Sequence, residues 1–161
     1  MRFIRLIPLV TLFVSGCVIA GSQPVTLVGG FVAVGHPAIA TGPEGQTFSY
    51  GVRGGMILEM QSGQKIKLSI DCTGIDFVGK GQETGGHGYC VWRDGDDDQL
   101  FVSLKTIASG NHYSITGGTG KWRASTGSID TTFTYLPAPA PELFLGVEEG
   151  SGHLEPRASD K

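Results

Sequence analysis

Apolar and polar residues alternate along much of the chain after residue 24, with the period of two that is typical of β-strands. The alternation is cleanest in residues 65–73 and 127–135. The residues on the apolar face are Ile66, Leu68, Ile70 and Cys72 in the first segment, and Ile129, Thr131, Phe133 and Tyr135 in the second. Each segment is therefore predicted to be a strand with one face in a core.

Less regular patterns predict several further strands, and the first of these segments is a nearly continuous apolar run broken by Gly29 and Gly30. These cover residues 25–34, 47–52, 56–61, 88–93, 99–108, 112–116 and 142–148. Glycine-rich or proline-rich segments separate them, and no long stretch shows the 3.6-residue period of a helix. We expect a turn at Gly54–Gly55 that makes a hairpin of its flanking strands, and a mobile loop over residues 79–88. The pattern predicts an all-β fold, either a closed antiparallel barrel of about eight strands or a β-sandwich.

The first residues have the composition of an export signal. Arg2 and Arg5 precede an apolar run, Leu6–Val14, that is too short to span a membrane. The run ends in Val14-Ser15-Gly16-Cys17, which resembles a bacterial lipobox and predicts a lipid on Cys17. Cleavage after Ala20 is the alternative. We favour the lipoprotein because a cysteine at this point has no evident structural use.

These features divide the chain into four segments: a lipoprotein signal at 1–16, a tether at 17–24, a barrel domain at 25–148 and a disordered tail at 149–161. The expected location is the bacterial cell envelope, on the periplasmic face of the outer membrane.

Lipidation of Cys17 leaves Cys72 and Cys90 as the other cysteines. In an oxidising compartment they are predicted to form a disulfide, because no cysteine or histidine spacing of a zinc site is present.

Charge limits the partners of the domain. The formal net charge is −3 at pH 7 and no basic run occurs, so we expect no nucleic-acid binding. Membrane attachment is expected only through the N-terminal lipid.

The segment from Ser114 to Tyr135 contains a compact glycine motif. The motif consists of Gly117, Gly118, Thr119, Gly120, Lys121, Trp122 and Gly127. It is not a P-loop, because Trp122 follows the lysine and a strand rather than a helix comes next. It resembles the signature of the allene-oxide-cyclase-like and dirigent-like β-barrels. Together with Gly88-Tyr89-Cys90-Val91, it is also similar to bacterial exported proteins related to these barrels.

This resemblance implies a barrel that holds an apolar substrate and steers its cyclisation or coupling without a cofactor. The N-terminal acidic motif of dirigent proteins is missing. The candidate ligand-cavity residues are Phe48, Tyr50, Trp92, Trp122 and Phe133, which could equally belong to the core.

The turn Asp94-Gly95-Asp96-Asp97-Asp98 is a weak calcium candidate through Asp94, Asp96 and Asp98, since carboxylates are calcium ligands. The EF-hand order is absent, and a solvated hairpin turn is the preferred interpretation. The four histidines share no metal-binding spacing and are interpreted as surface or loop residues. No cofactor is expected.

The sequence thus favours a non-catalytic binding or structural barrel, with a small apolar ligand as its possible partner. The alternative is a cofactor-free cyclase or isomerase. Asp71, Asp76 and Asp130 are the strand carboxylates near the motif, and no acid and base share one strand face. This absence favours binding over catalysis.

Overall fold

The computed structural model describes residues 21–79 and 82–156, which form nine β-strands and a single 3₁₀ turn at Gly120–Trp122. The strands are β1 (Gln23–Gly35), β2 (Ile39–Ala40), β3 (Gly45–Met60), β4 (Lys65–Gly79), β5 (Gln82–Arg93), β6 (Gln99–Ile107), β7 (Gly110–Gly118), β8 (Thr126–Leu136) and β9 (Leu143–Glu155). Several are longer than the sequence predicted, because some of the expected turns are absent.

The strands form one antiparallel sheet that closes on itself. Strands β3 to β9 pair in sequence order, β9 pairs with β1, and β1 pairs with β3. The last pairing closes eight strands into a barrel, and β2 adds a short ninth strand beside β3. The predicted all-β closed barrel is therefore confirmed, and the alternative β-sandwich is excluded.

The predicted hairpin turn at Gly54–Gly55 is wrong, because β3 runs through both glycines without a break. These residues instead lie where β3 crosses β1, in the register Gly30↔Gly55 and Phe31↔Gly54. A Cβ atom on Gly54 would lie 2.2 Å from the carbonyl oxygen of Gly30. Glycine is required there for close backbone approach rather than for a turn.

Two other segments that we expected to be irregular belong to the sheet. The expected mobile loop at 79–88 is wrong for residues 82–88, which lie in β5 and pair with β4. The disordered tail predicted from residue 149 is also wrong for 149–155, because β9 continues to Glu155 and pairs with β8 and β1. Small residues in β9 concealed this strand, since Gly150 and Gly152 pack against the backbone of β8.

Inward-facing side chains form the core of the barrel, and the two ends of the barrel differ. The tryptophan end carries the connections at 61–64, 94–98 and 119–125, with Trp92 and Trp122 buried beneath them. The cavity end lies at the opposite ends of the strands, near Gly35, Gly45 and Leu136. The core cluster consists of Val25, Leu27, Met56, Leu58, Met60, Leu68, Ile70, Cys72, Cys90, Trp92, Leu100, Val102, Leu104, Tyr113, Ile115, Trp122, Ile129 and Leu154.

The predicted signal, including Cys17, lies outside the described residues, as does the end of the predicted tail at 157–161. Within the described residues, no helix has the length and apolar character needed to cross a membrane.

Candidate functional site

An inward-facing cavity of about 140 Å³ lies at the cavity end of the barrel. Seven of the eight barrel strands, all but β5, contribute its lining, so the lining residues are widely separated in sequence. They are Phe31, Ala33, Phe48, Tyr50, Val52, Cys72, Asp76, Leu104, Thr106, Asn111, Tyr113, Phe133, Tyr135, Phe144 and Glu148. We call Phe31, Phe48, Tyr50, Phe133, Tyr135 and Phe144 the aromatic wall. We call Asp76, Thr106, Asn111 and Glu148 the polar arc.

Glycines at neighbouring positions leave space for the large side chains of the site. A Cβ atom on Gly74 would lie 2.5 Å from the ring of Tyr50. One on Gly146 would lie 2.4 Å from the ring of Phe31. Substituting either glycine would push an aromatic ring from its place, so these glycines help to shape the cavity.

The rings of the aromatic wall contact one another in edge-to-face and tilted pairs. Phe133 and Tyr135 have ring centroids 5.2 Å apart, and Phe31 lies 6.3 Å from Phe133. Tyr135 also contacts Phe144 in a tilted pair, with ring centroids 6.2 Å apart. The two T-shaped pairs of Phe133 are favourable beyond the area that they bury. Tyr135 nevertheless remains 60 % exposed, so the wall opens to solvent at its outer edge.

Glu148 is the buried acid of the polar arc, with 3 % of its surface exposed. Its carboxylate accepts hydrogen bonds from the hydroxyl of Tyr113 at 3.0 and 3.1 Å and from Nδ2 of Asn111 at 3.0 Å. The hydroxyl of Thr131 donates a further bond to it. Several donors from β7 and β8 thus satisfy a carboxylate that would otherwise be costly to bury.

Tyr113 remains a donor over the whole physiological pH range. Burial raises the pKa of its hydroxyl well above the ordinary value, and the negative charge of Glu148 raises it further. Its ring packs edge to face on Trp92, with centroids 5.2 Å apart. The core below the cavity therefore fixes the position of the hydroxyl that holds Glu148.

Asp76 is the second acid of the polar arc and lies on β4, across the barrel from the β9 strand that carries Glu148. Thr106 donates a hydrogen bond to its Oδ1 at 3.3 Å, and Tyr50 donates another to the carboxylate. Burial raises the pKa of Asp76, although these bonds and the charge of His87 act in the opposite direction. Gly86 leaves space for the carboxylate, since a Cβ atom there would overlap Oδ1.

Three of the five predicted ligand-cavity residues line this cavity, namely Phe48, Tyr50 and Phe133. Trp92 and Trp122 do not line it, because they are buried in the core with 1 % and 5 % of their surface exposed. The structure supports the interpretation that both tryptophans belong to the core. The sequence pattern does not mark Tyr113 or Glu148 as site residues, although both line the cavity.

The predicted disulfide joins Cys72 and Cys90, which face each other across β4 and β5. The predicted pairing is confirmed. Cys72 also lines the cavity, so the disulfide lies directly below the site. It ties together the two strands that carry Asp76 and Gly86.

The acidic turn lies at the tryptophan end, away from the cavity. Asp94 accepts hydrogen bonds from Nε1 of Trp122 at 2.7 Å and from the backbone N–H groups of Asp96 and Asp98 at 2.8 and 3.2 Å. Nζ of Lys121 lies 2.9 Å from Asp94 and 2.6 Å from Asp96. A lysine ammonium thus already occupies the space between the candidate calcium ligands.

No set of three histidine, cysteine or acidic residues in the described part of the chain is placed to hold a metal ion. The calcium hypothesis for Asp94, Asp96 and Asp98 stays a prediction, which an unchanged melting temperature on adding calcium would contradict.

The glycine motif also lies at the tryptophan end of the barrel, which it helps to close. Gly120 has a φ of 48°, and a Cβ atom there would overlap the carboxylate of Asp98. Gly118 packs against the carbonyl oxygen of Gln99, and the hydroxyl of Thr119 accepts a hydrogen bond from the backbone N–H of Gln99. Gly127, the second residue of β8, lies close to the backbone of β9. The motif residues are thus structural in this barrel and do not reach the cavity.

No protein-family model and no curated protein sequence matches the chain. Among solved structures, it is similar to the pterocarpan synthase dirigent protein GePTS1. The sequence identity is 15 %, and the match covers 87 % of this chain and 90 % of that one with a TM-score of 0.47. The match is to a dirigent protein, one of the two groups whose glycine motif this sequence resembles.

Proposed function

We propose that the protein binds a small, mainly apolar molecule in the cavity and acts as a non-catalytic binding protein. The observation that carries this proposal is the combination of an open aromatic wall with a small polar arc around one space of about 140 Å³. Binding sites for small molecules are typically apolar, with a few polar groups that fix the orientation of the ligand.

The size of the cavity limits the ligand. An apolar cavity of similar volume, about 150 Å³, accepts a benzene-sized molecule in another protein. A single ring or a short branched chain therefore fits within the barrel. A longer substituent would extend past Tyr135 and Phe144, whose rings are partly exposed at the outer edge of the aromatic wall.

We also propose that the barrel works at the cell envelope, anchored by a lipid on Cys17. The lipobox-like Val14-Ser15-Gly16-Cys17 supports this location, as does the disulfide between Cys72 and Cys90. Disulfides persist mainly in oxidising compartments such as the periplasm. The strand β1 begins at Gln23, at the tryptophan end, so a lipid on Cys17 would leave the cavity facing away from the anchor.

Binding in the cavity can be tested by filling it. Ala33 lines the cavity and faces inward, whereas its neighbour Val34 faces solvent and is 44 % exposed. We expect benzyl alcohol, a neutral benzene-sized molecule, to bind the wild type in ligand-observed NMR. Ala33→Phe should abolish this signal, and the matched Val34→Phe should preserve it. Equal signals in the two variants, both shown to be folded by circular dichroism, would contradict the proposal.

A second candidate function is a cofactor-free cyclase or isomerase. It is favoured by one observation, that Asp76 and Glu148 face the same cavity from different strands. A pair of acids around one apolar space can guide a proton transfer when their environments differ. Recovery of a native ligand that is chemically unchanged after long incubation would support binding alone, and its conversion would support the enzyme.

A further inference from the structure

We infer that the ligand of the cavity is a compact organic cation, such as a protonated amine, and that Asp76 is its counter-ion. This inference rests on the proposed function, because it names the chemical class of the molecule that the same cavity holds. Four observations carry it: the charges of the lining, the use of its hydrogen-bond donors, the aromatic wall and the cost of burying Asp76.

The lining is acidic. Among the described residues around the cavity, Asp76 and Glu148 are the two ionisable acids, and no lysine, arginine or histidine is present. An anionic ligand would therefore enter a space that offers it no positive partner. The described lining therefore disfavours carboxylates and phosphates, since an unpaired buried charge is costly.

The donors of the polar arc are already used within the protein. The hydroxyl of Thr106 donates to Asp76, and the amide of Asn111 donates to Glu148 and to the hydroxyl of Tyr113. Each carboxylate has about four acceptor positions. Among the described residues, Oε2 of Glu148 receives one hydrogen bond, that of Tyr113. The arc thus offers acceptors to a ligand, and the ligand must supply donors.

The aromatic wall adds a second preference for positive charge. Seven aromatic side chains line the space, namely the six of the aromatic wall and Tyr113. The face of an aromatic ring carries partial negative charge and attracts a cation within about 6 Å of its centroid. An ammonium group close to Asp76 would also lie near Tyr50, whose hydroxyl bonds to that carboxylate.

Asp76 gains most from a positive partner. Burial raises the pKa of this carboxyl, so its charged form is disfavoured in the unliganded barrel. The groups that oppose the shift are the hydroxyls of Thr106 and Tyr50 and the charge of His87. A cation inside the cavity would compensate the lost hydration of Asp76 more directly than any of these.

Three probes of matched size separate the possible ligand classes. Benzylamine is a cation at pH 7, benzyl alcohol is neutral and benzoate is an anion. Each carries one benzene ring, which matches the cavity volume of about 140 Å³. We expect benzylamine to bind about tenfold more tightly than benzyl alcohol in calorimetric titrations at low salt, and benzoate to show no binding.

Two variants on the same strand test the role of Asp76. Asp76→Asn keeps the shape of the side chain and removes its charge inside the cavity. Asp71→Asn removes one charge from the outer face of β4, where the side chain of Asp71 is 67 % exposed. We expect Asp76→Asn to abolish the preference for benzylamine over benzyl alcohol, and Asp71→Asn to retain it.

The outcomes distinguish this inference from the function on which it rests. If benzyl alcohol binds as tightly as benzylamine, or benzoate binds better, the cation inference is wrong and the cavity remains a binding site. If Asp76→Asn retains the preference while its fold is intact, the assignment of Asp76 as counter-ion is wrong. If neither benzylamine nor benzyl alcohol binds the wild type, the proposed function itself fails.

Discussion

Replacing Asp94 with alanine tests whether the acidic turn holds the tryptophan end of the barrel together. The side chain of Asp94 is 2 % exposed and joins the turn to the glycine motif through Trp122. The variant Asp94→Ala removes the partner of a buried indole N–H and of two backbone N–H groups. It also leaves Lys121 without one of its two acidic partners.

The expected loss follows from these contacts. Leaving the buried Nε1–H of Trp122 without a charged acceptor costs about 1–3 kcal/mol. Losing the two bonds that cap the turn costs about 1 kcal/mol, as at a helix N-terminus. Lys121 is 45 % exposed, so its ion pair contributes less than about 1 kcal/mol. We expect a total loss of about 3 kcal/mol, or a melting temperature lower by about 10 °C.

The assay is chemical and thermal unfolding of Asp94→Ala beside Asp96→Ala. Asp96 lies in the same turn, pairs with the same lysine and is 77 % exposed, so its removal should cost less than about 0.5 kcal/mol. The double variant with Trp122→Phe should show a coupling free energy of about 2 kcal/mol. Equal destabilisation by the two alanine variants, or no coupling with Trp122, would refute the role assigned to Asp94.

Three further predictions concern stability at low pH, removal of the disulfide and the close approach of β1 and β3. Burial raises the pKa of Asp94, but the opposing hydrogen bonds prevail and hold the pKa below 3.8. The contribution of Asp94 to the free energy of unfolding is therefore present above that pH and lost as the pH falls through the folded-state pKa. The stabilities of the wild type and Asp94→Asn should converge at low pH in acid unfolding, and a constant difference between them would contradict this. Replacing both Cys72 and Cys90 with alanine should lower the free energy of unfolding by about 3 kcal/mol, measured in urea against the oxidised wild type, because the bond spans 18 residues. Gly54→Ala should destabilise the barrel by at least about 1–3 kcal/mol, whereas Gly55→Ala has space for its Cβ and should cost less; equal losses would argue against the close crossing.

The sequence predicted the fold class because the β pattern is local. Alternation in residues 65–73 and 127–135 marks which side chains face inward, and the structure places Ile70 and Ile129 in the core accordingly. Glycines were the main source of error. Gly54 and Gly55 have the local signature of a turn, yet both lie within β3 where it pairs with β1, and Gly54 allows a close approach to Gly30 that no local signal reveals.

The site was harder to predict than the fold because barrel closure assembles it. Phe48 and Tyr50 were found as aromatic residues on a predicted strand. The sequence pattern makes Glu148 the last residue of the predicted barrel domain, although it lies within β9 and is buried. Asp76 and Glu148 meet across one cavity only after β1 pairs with β3, so no spacing along the chain marks them as a pair.

The most direct test of ligand binding in the cavity is native mass spectrometry of the protein purified gently from its own host. We predict a bound small molecule that dissociates on activation and is absent from the Ala33→Phe variant prepared in the same way. The inference from Asp76 further predicts that the released molecule is detected as a protonated amine or another organic cation. Wild-type protein that carries nothing, or a ligand that Ala33→Phe retains, would contradict a binding site in the cavity.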